Sequence, residues 1–127
     1  MKNILLALAC FTSLTALGKP LVLTTTQTIA SLVKEIAHDA IEVESFTRGT
    51  QDPHFVEAKP SYMVKASRAD LVVASGLDLE VGWLGNILRG ARNPKIQEGG
   101  SGFLALGSLL SLSLIHISEP TRLRRIS

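Results

Sequence analysis

The chain reads as an α/β protein, a parallel sheet flanked by helices, and three observations predict this. Short β-prone runs alternate with amphipathic, helix-length segments from Leu21 onward. The run Leu71–Ala74 is apolar throughout, the mark of a strand covered on both faces. Thr26 and Pro60, residues suited to starting a helix, stand directly ahead of two of the helical segments.

Taken in order, Leu21–Thr25 is the first strand. Thr26 caps a helix in which Ile29, Leu32, Val33 and Ile36 recur at helical spacing and form one apolar face. His38-Asp39 closes it. Ile41–Phe46 alternates as a strand does, with Ile41 and Val43 on one face and Glu42 and Glu44 on the other. A polar loop, Thr47–Lys59, holds Gly49, Pro53 and His54. Pro60 opens a second helix that continues through Tyr62–Ala69, and Leu71–Ala74 is the third strand. Gly76 turns the chain into a third helix over Leu79–Arg89, carrying Trp83, Leu84, Ile87 and Leu88. Asn93-Pro94 ends it, and Lys95–Gln97 is expected as a weak fourth strand. Glu98–Gly102 is a glycine-rich loop, and Phe103–Ser111 fits either a strand or a helix.

The two ends stand apart from this pattern. Met1–Gly18 reads as a secretory signal: Lys2 supplies the positive start, Ile4–Leu17 the apolar stretch, and Ala16-Leu17-Gly18 the small residues of a cleavage site. Cleavage after Gly18 is expected, giving a soluble periplasmic chain. Lipidation at Cys10, the only cysteine, is the weaker alternative, because the residue three positions ahead of it is Ala7 rather than leucine. The mature body then holds no cysteine and needs no disulfide in an oxidising compartment. At the other end, Leu112–Arg122 reads Leu-Ser-Leu-Ile-His-Ile-Ser-Glu-Pro-Thr-Arg, which resembles the translation of a transposase-based sequencing adapter. Residues 112–127 are therefore read as a non-native read-through tail, with His116 set aside as a ligand. The expected organisation is a signal over 1–18, an α/β lobe over 19–111 and the tail.

Composition excludes some functions. With 46% hydrophobic and 19% charged residues, the chain is neither disordered nor highly charged, and its 127 residues suffice for one domain with a modest core. The basic pI of 8.9 comes from the ends. Without Lys2, Arg122, Arg124 and Arg125, nine of the thirteen basic residues remain; without Glu119, ten of the eleven acidic residues remain. A body near −1 makes no electrostatic case for nucleic acid. Thr24-Thr25-Thr26-Gln27 stands where a glycine-rich phosphate loop would come after the first strand, which argues against nucleotide chemistry.

The chemistry-bearing candidate is His54, in Gln51-Asp52-Pro53-His54. The loop comes after the second strand, so it lies at the carboxyl ends, where ligands bind in open α/β sheets. Pro53 fixes its own φ and restricts Asp52, which limits how far His54 can wander. Asp52 or a backbone carbonyl can hold one ring nitrogen and set the tautomer. From spacing alone, a solvated turn histidine is the commoner outcome and a metal ligand the sharper one. His38 reads as a helix-end cation. Glu57 reads as a solvated carboxylate, Asp78 as a cap of the third helix, Glu80 as structural and Trp83 as core. Ser75 has no nucleophile elbow around it.

Several motifs together resemble the N-terminal lobe of the solute-binding proteins of zinc and manganese ABC importers. They are Thr24-Thr25-Thr26-Gln27, Arg48–Ser61 with its Asp-Pro-His loop and Pro-Ser helix start, Ala69-Asp70-Leu71, Gly76–Glu80 and Ala91–Gln97. The resemblance spans roughly Pro20–Gly102. It implies two lobes joined by a long helix, a metal held between them, and His54 as the first ligand. The other ligands lie later in such chains. Zinc is the expected metal, with manganese second, and a zinc ion takes about four ligands, so His54 alone is an incomplete set. The partners implied are the metal ion and an ABC permease in the inner membrane, with the binding protein a monomer and not an enzyme. Two rival readings are a secreted α/β hydrolase fragment, whose nucleophile would lie downstream, and a lipid-anchored adhesin-like module of the same fold.

Overall fold

β1 (Leu21–Thr24) lies inside the sheet between two neighbours, with Val22, Leu23 and Thr24 almost inaccessible. The computed structural model describes residues 18–110, so most of the expected signal with Cys10, and the tail with His116, lie outside the described residues. Thr26 has extended backbone, and its hydroxyl accepts from Ile29 N at 3.3 Å, starting α1 (Gln27–Ala37) as its position predicts. The apolar face of α1 docks only in part. Ile29 and Ala30 are buried, whereas Leu32 is 57% and Ile36 81% exposed. The helix lies over β1 and the edge strand β2 (Glu42–Ser45), which cover its Ile29 side and leave Leu32 and Ile36 outside the contact.

α2 (Pro60–Ser67) begins with Pro60 in its first turn, and β3 (Leu71–Ala74) falls on the all-apolar run. Two expectations are corrected beyond this point. α3 spans Leu84–Ala91 and does not start at Leu79. Gly76, Leu77 and Asp78 all have positive φ (76°, 58° and 65°), and the Glu80 side chain bonds back to Ser75 N and Gly76 N, so the chain stays in turns through Trp83 before the helix begins. The expected strand Lys95–Gln97 is replaced by a 3-10 turn, Pro94–Ile96, because Asn93 caps it by accepting from Lys95 N. β4 is instead Phe103–Ala105.

All strand pairs are parallel, and the order is β2-β1-β3-β4. Alternation along β1 and β3 builds two layers. Leu23, Val72 and Ala74 join α2 and α3 in the main core with Phe46, Trp83 and Ile87. Val22 and Val73 face the other way and meet Ile29 of α1. The chain leaves β1 for β2 on one side, then returns across to β3 on the other. The carboxyl ends of β1 and β3 therefore flank the crevice where this fold class receives ligands.

Candidate metal centre

The Asp-Pro-His loop leaves the end of β2 and is pinned on both sides. Phe46, at its start, is 2% exposed, and Val56, two residues past His54, is 7% exposed. Between them Asp52 Oδ1 accepts from the backbone N–H of His54 at 2.9 Å and contacts His54 Nδ1 at 2.9 Å. The backbone N–H of His54, and then its ring, hold the Asp52 carboxyl below the usual carboxylate range. Asp52 is therefore ionised at neutral pH and can only accept, so His54 Nδ1 carries the proton. On a neutral ring this leaves the Nε2 lone pair for a metal, on a side chain that is 58% exposed. A carboxylate behind the imidazole, with the far nitrogen open, is the arrangement that orients a histidine toward a metal ion.

Trp83 supports the loop from beneath. Its ring is 2% exposed, packs edge-on against Phe46 (centroids 5.7 Å apart), and donates from Nε1 to Pro53 O at 2.8 Å. The carbonyl directly before His54 is thus held by a buried indole. The core position expected for Trp83 is the one it occupies; its bond to the loop joins positions 30 residues apart and has no local signal.

Behind Trp83, Glu80 enters the crevice between β1 and β3 and is 5% exposed. Its Oε1 accepts from Thr25 Oγ1 at 2.5 Å and Ser75 N at 2.8 Å, and its Oε2 from Gly76 N at 3.0 Å. This burial is not legible in the sequence, because the partner Thr25 is 55 residues away.

The remaining candidates do not join His54. His38 ends α1, with its backbone N–H donating to Lys34 O. Glu57 is exposed and 3.7 Å from Lys59. Asp78 does not cap α3: the N-cap is Trp83, without a side-chain bond, and Asp78 sits in the left-handed turn ahead of it. Ser75 Oγ stands 3.5 Å from Thr25 Oγ1. A groove of about 680 Å³ runs past Leu77, Val81, Arg89 and Phe103, away from His54. Among the described residues, no three His, Cys, Asp or Glu side chains come together as a metal cluster. His54 thus stands as one oriented donor rather than a closed shell.

The family described as zinc-uptake complex component A, periplasmic, matches residues 22–108. The chain belongs to this family. It is 38% identical over 90 residues to the metal ABC transporter substrate-binding lipoprotein FimA of Streptococcus parasanguinis, a match that covers 68% of this chain and 29% of that protein. It is 38% identical over 73 residues to the manganese ABC transporter substrate-binding lipoprotein PsaA of Streptococcus pneumoniae, covering 55% of this chain and 24% of that one. Among solved structures it superposes on the periplasmic zinc-binding protein TroA of Treponema pallidum with a TM-score of 0.64 and 29% identity, over 76% of this chain and 32% of that chain. The chain therefore spans less than a third of the length of these relatives. The zinc-uptake component family is a solute-binding family, not an enzyme family, and the parallel sheet with flanking helices is its fold.

Proposed function

We propose that this chain is the N-terminal lobe of a periplasmic metal-binding component of an ABC importer, taking zinc first and manganese second. His54 is its first ligand. The observation that carries the reading is the tether from Asp52 to His54 Nδ1, which leaves Nε2 free at the carboxyl ends of a parallel sheet. The family match supports it, and so do relatives named for manganese and for zinc. Zn²⁺ accepts neutral imidazole readily, and further ligands from a second lobe would complete about four donors. On this reading the cargo is captured between lobes and passed to a membrane permease, and the binding component acts as a soluble monomer after cleavage behind Gly18. Residues 112–127 are then not part of the lobe; the family match ends before them, at residue 108.

Two titrations test the ligand. Zn²⁺ added to the isotope-labelled chain should shift the His54 ring resonances, with Nε2 the responding nitrogen, and leave His38 unchanged. Calorimetry on a two-lobed relative, with the histidine aligned to His54 changed to alanine, should show zinc affinity reduced by about a hundredfold or more. Unchanged affinity in that variant would remove His54 from the site.

A further inference from the structure

The crevice between β1 and β3, where this fold class usually receives a ligand, is filled by the chain's own carboxylate. We propose that Glu80 is a positioning residue for the His54 loop, acting through Trp83. Its role in metal capture rests on His54 being a ligand; the mechanical link does not.

A buried carboxylate is costly unless its oxygens are satisfied, and here three donors meet it. Thr25 Oγ1 comes from the end of β1, and the successive amides of Ser75 and Gly76 come from the end of β3. Successive N–H groups beside a positive-φ residue (Gly76, 76°) form a small anion-binding concavity, and Glu80 places its own anion there. Helix capping does not explain the residue, since α3 is capped at Trp83 and not at Glu80.

The backbone of Glu80 also shapes the entry to α3. Glu80 O accepts from Trp83 N at 3.2 Å and Leu84 N at 3.0 Å, which sets the turn leading into the helix. Side chain and carbonyl together fix that turn against the sheet ends, and the turn aims the Trp83 indole at Pro53 O, 2.8 Å away. The chain of contacts runs from the crevice through Glu80, Trp83 and Pro53 to His54. Three hydrogen bonds hold Glu80 in the crevice, and each later link is a hydrogen bond or a peptide step, so releasing Glu80 should loosen the loop before it loosens the strands.

Trp83 is the only tryptophan, so one indole N–H resonance reports the link directly. Glu80→Gln keeps the side-chain volume but turns an amide N–H₂ toward Gly76 N. In this variant the indole N–H should exchange about tenfold faster, while the amides of Leu23 and Val72 stay within about twofold of wild type. In Glu80→Ala, the space left matches an acetate ion, and acetate should restore indole protection where chloride at equal ionic strength does not. Wild-type indole exchange in Glu80→Gln overturns the proposal. So does acceleration shared equally by indole and strands, which would make Glu80 a general stabiliser. Acetate without effect on a folded Glu80→Ala also overturns it; if that variant does not fold, Glu80→Gln decides. The zinc response of His54 is read separately, so a failure of the ligand assignment leaves the indole result standing, and the reverse holds too.

Discussion

His54 combines two restraints on an exposed turn: a carboxylate against Nδ1 and a fixed carbonyl behind it. Asp52 supplies the first and Trp83 the second. Their loss should have different signatures. Asp52→Asn keeps the loop shape but replaces the ionised acceptor, so metal affinity in a two-lobed relative should fall about tenfold to a hundredfold with little change in melting temperature. Trp83→Phe keeps an aromatic ring against Phe46 but leaves Pro53 O without its donor. It should cost about 1–3 kcal/mol in chemical denaturation, from the lost bond and the smaller ring. The Asp-Pro-His string is legible in the sequence because its chemistry is local: Asp52 reaches His54 across two residues. The sequence marks Trp83 and Glu80 only as structural, because their partners are brought to them by the sheet.

At the level of elements, the legible segments are those whose start is written in one residue. Thr26 starts α1 through its hydroxyl, and Thr26→Ala should cost about 1 kcal/mol, measurable by urea denaturation. Pro60 starts α2 in the same direct way. The start of α3 is misleading in the sequence, because Leu79 and Val81 continue an apolar spacing, and Gly76 marks a turn without showing that the left-handed backbone runs on through Leu77 and Asp78. β4 escapes assignment because three half-buried residues, Phe103–Ala105, give too short a pattern. The packing of α2 on α3 depends on close approach at Gly90, where an added Cβ would collide with Met63 Sδ. Met63 is half-buried and its thioether can swing aside, so Gly90→Ala should leave stability within about 1 kcal/mol of wild type, the helix preference for alanine offsetting the repacking; a melting temperature lowered by many degrees would show a rigid contact instead.

Across the whole molecule, Asp70 links the sheet to the segment after α3. Its Oδ2 accepts from Leu21 N at 3.0 Å, and its Oδ1 from Lys95 Nζ at 2.9 Å. The Lys95 bond first, and the Leu21 amide second, hold its carboxyl below the usual value. A carboxyl lowered by folding stabilises the fold above its unfolded value, and that contribution is lost as pH falls through the folded one. Stability should therefore drop below about pH 4. Asp70→Asn should shrink that drop, so that variant and wild type differ at pH 6 and converge near pH 2; parallel curves would count against the link.

The run Gly76-Leu77-Asp78 has a consequence of handedness. Three successive residues trace a backbone that a mirror-image peptide would adopt without strain. Leu77 is 64% exposed, so its side-chain chemistry matters less there than its shape at Cβ. Leu77→Ile, a swap between two apolar isomers on the surface, should cost about 1 kcal/mol or more, whereas Leu77→Asn should be tolerated. At this turn a branched carbon is a heavier substitution than a change of polarity, and drift at position 77 should run toward small or amide side chains rather than toward hydrophobic ones.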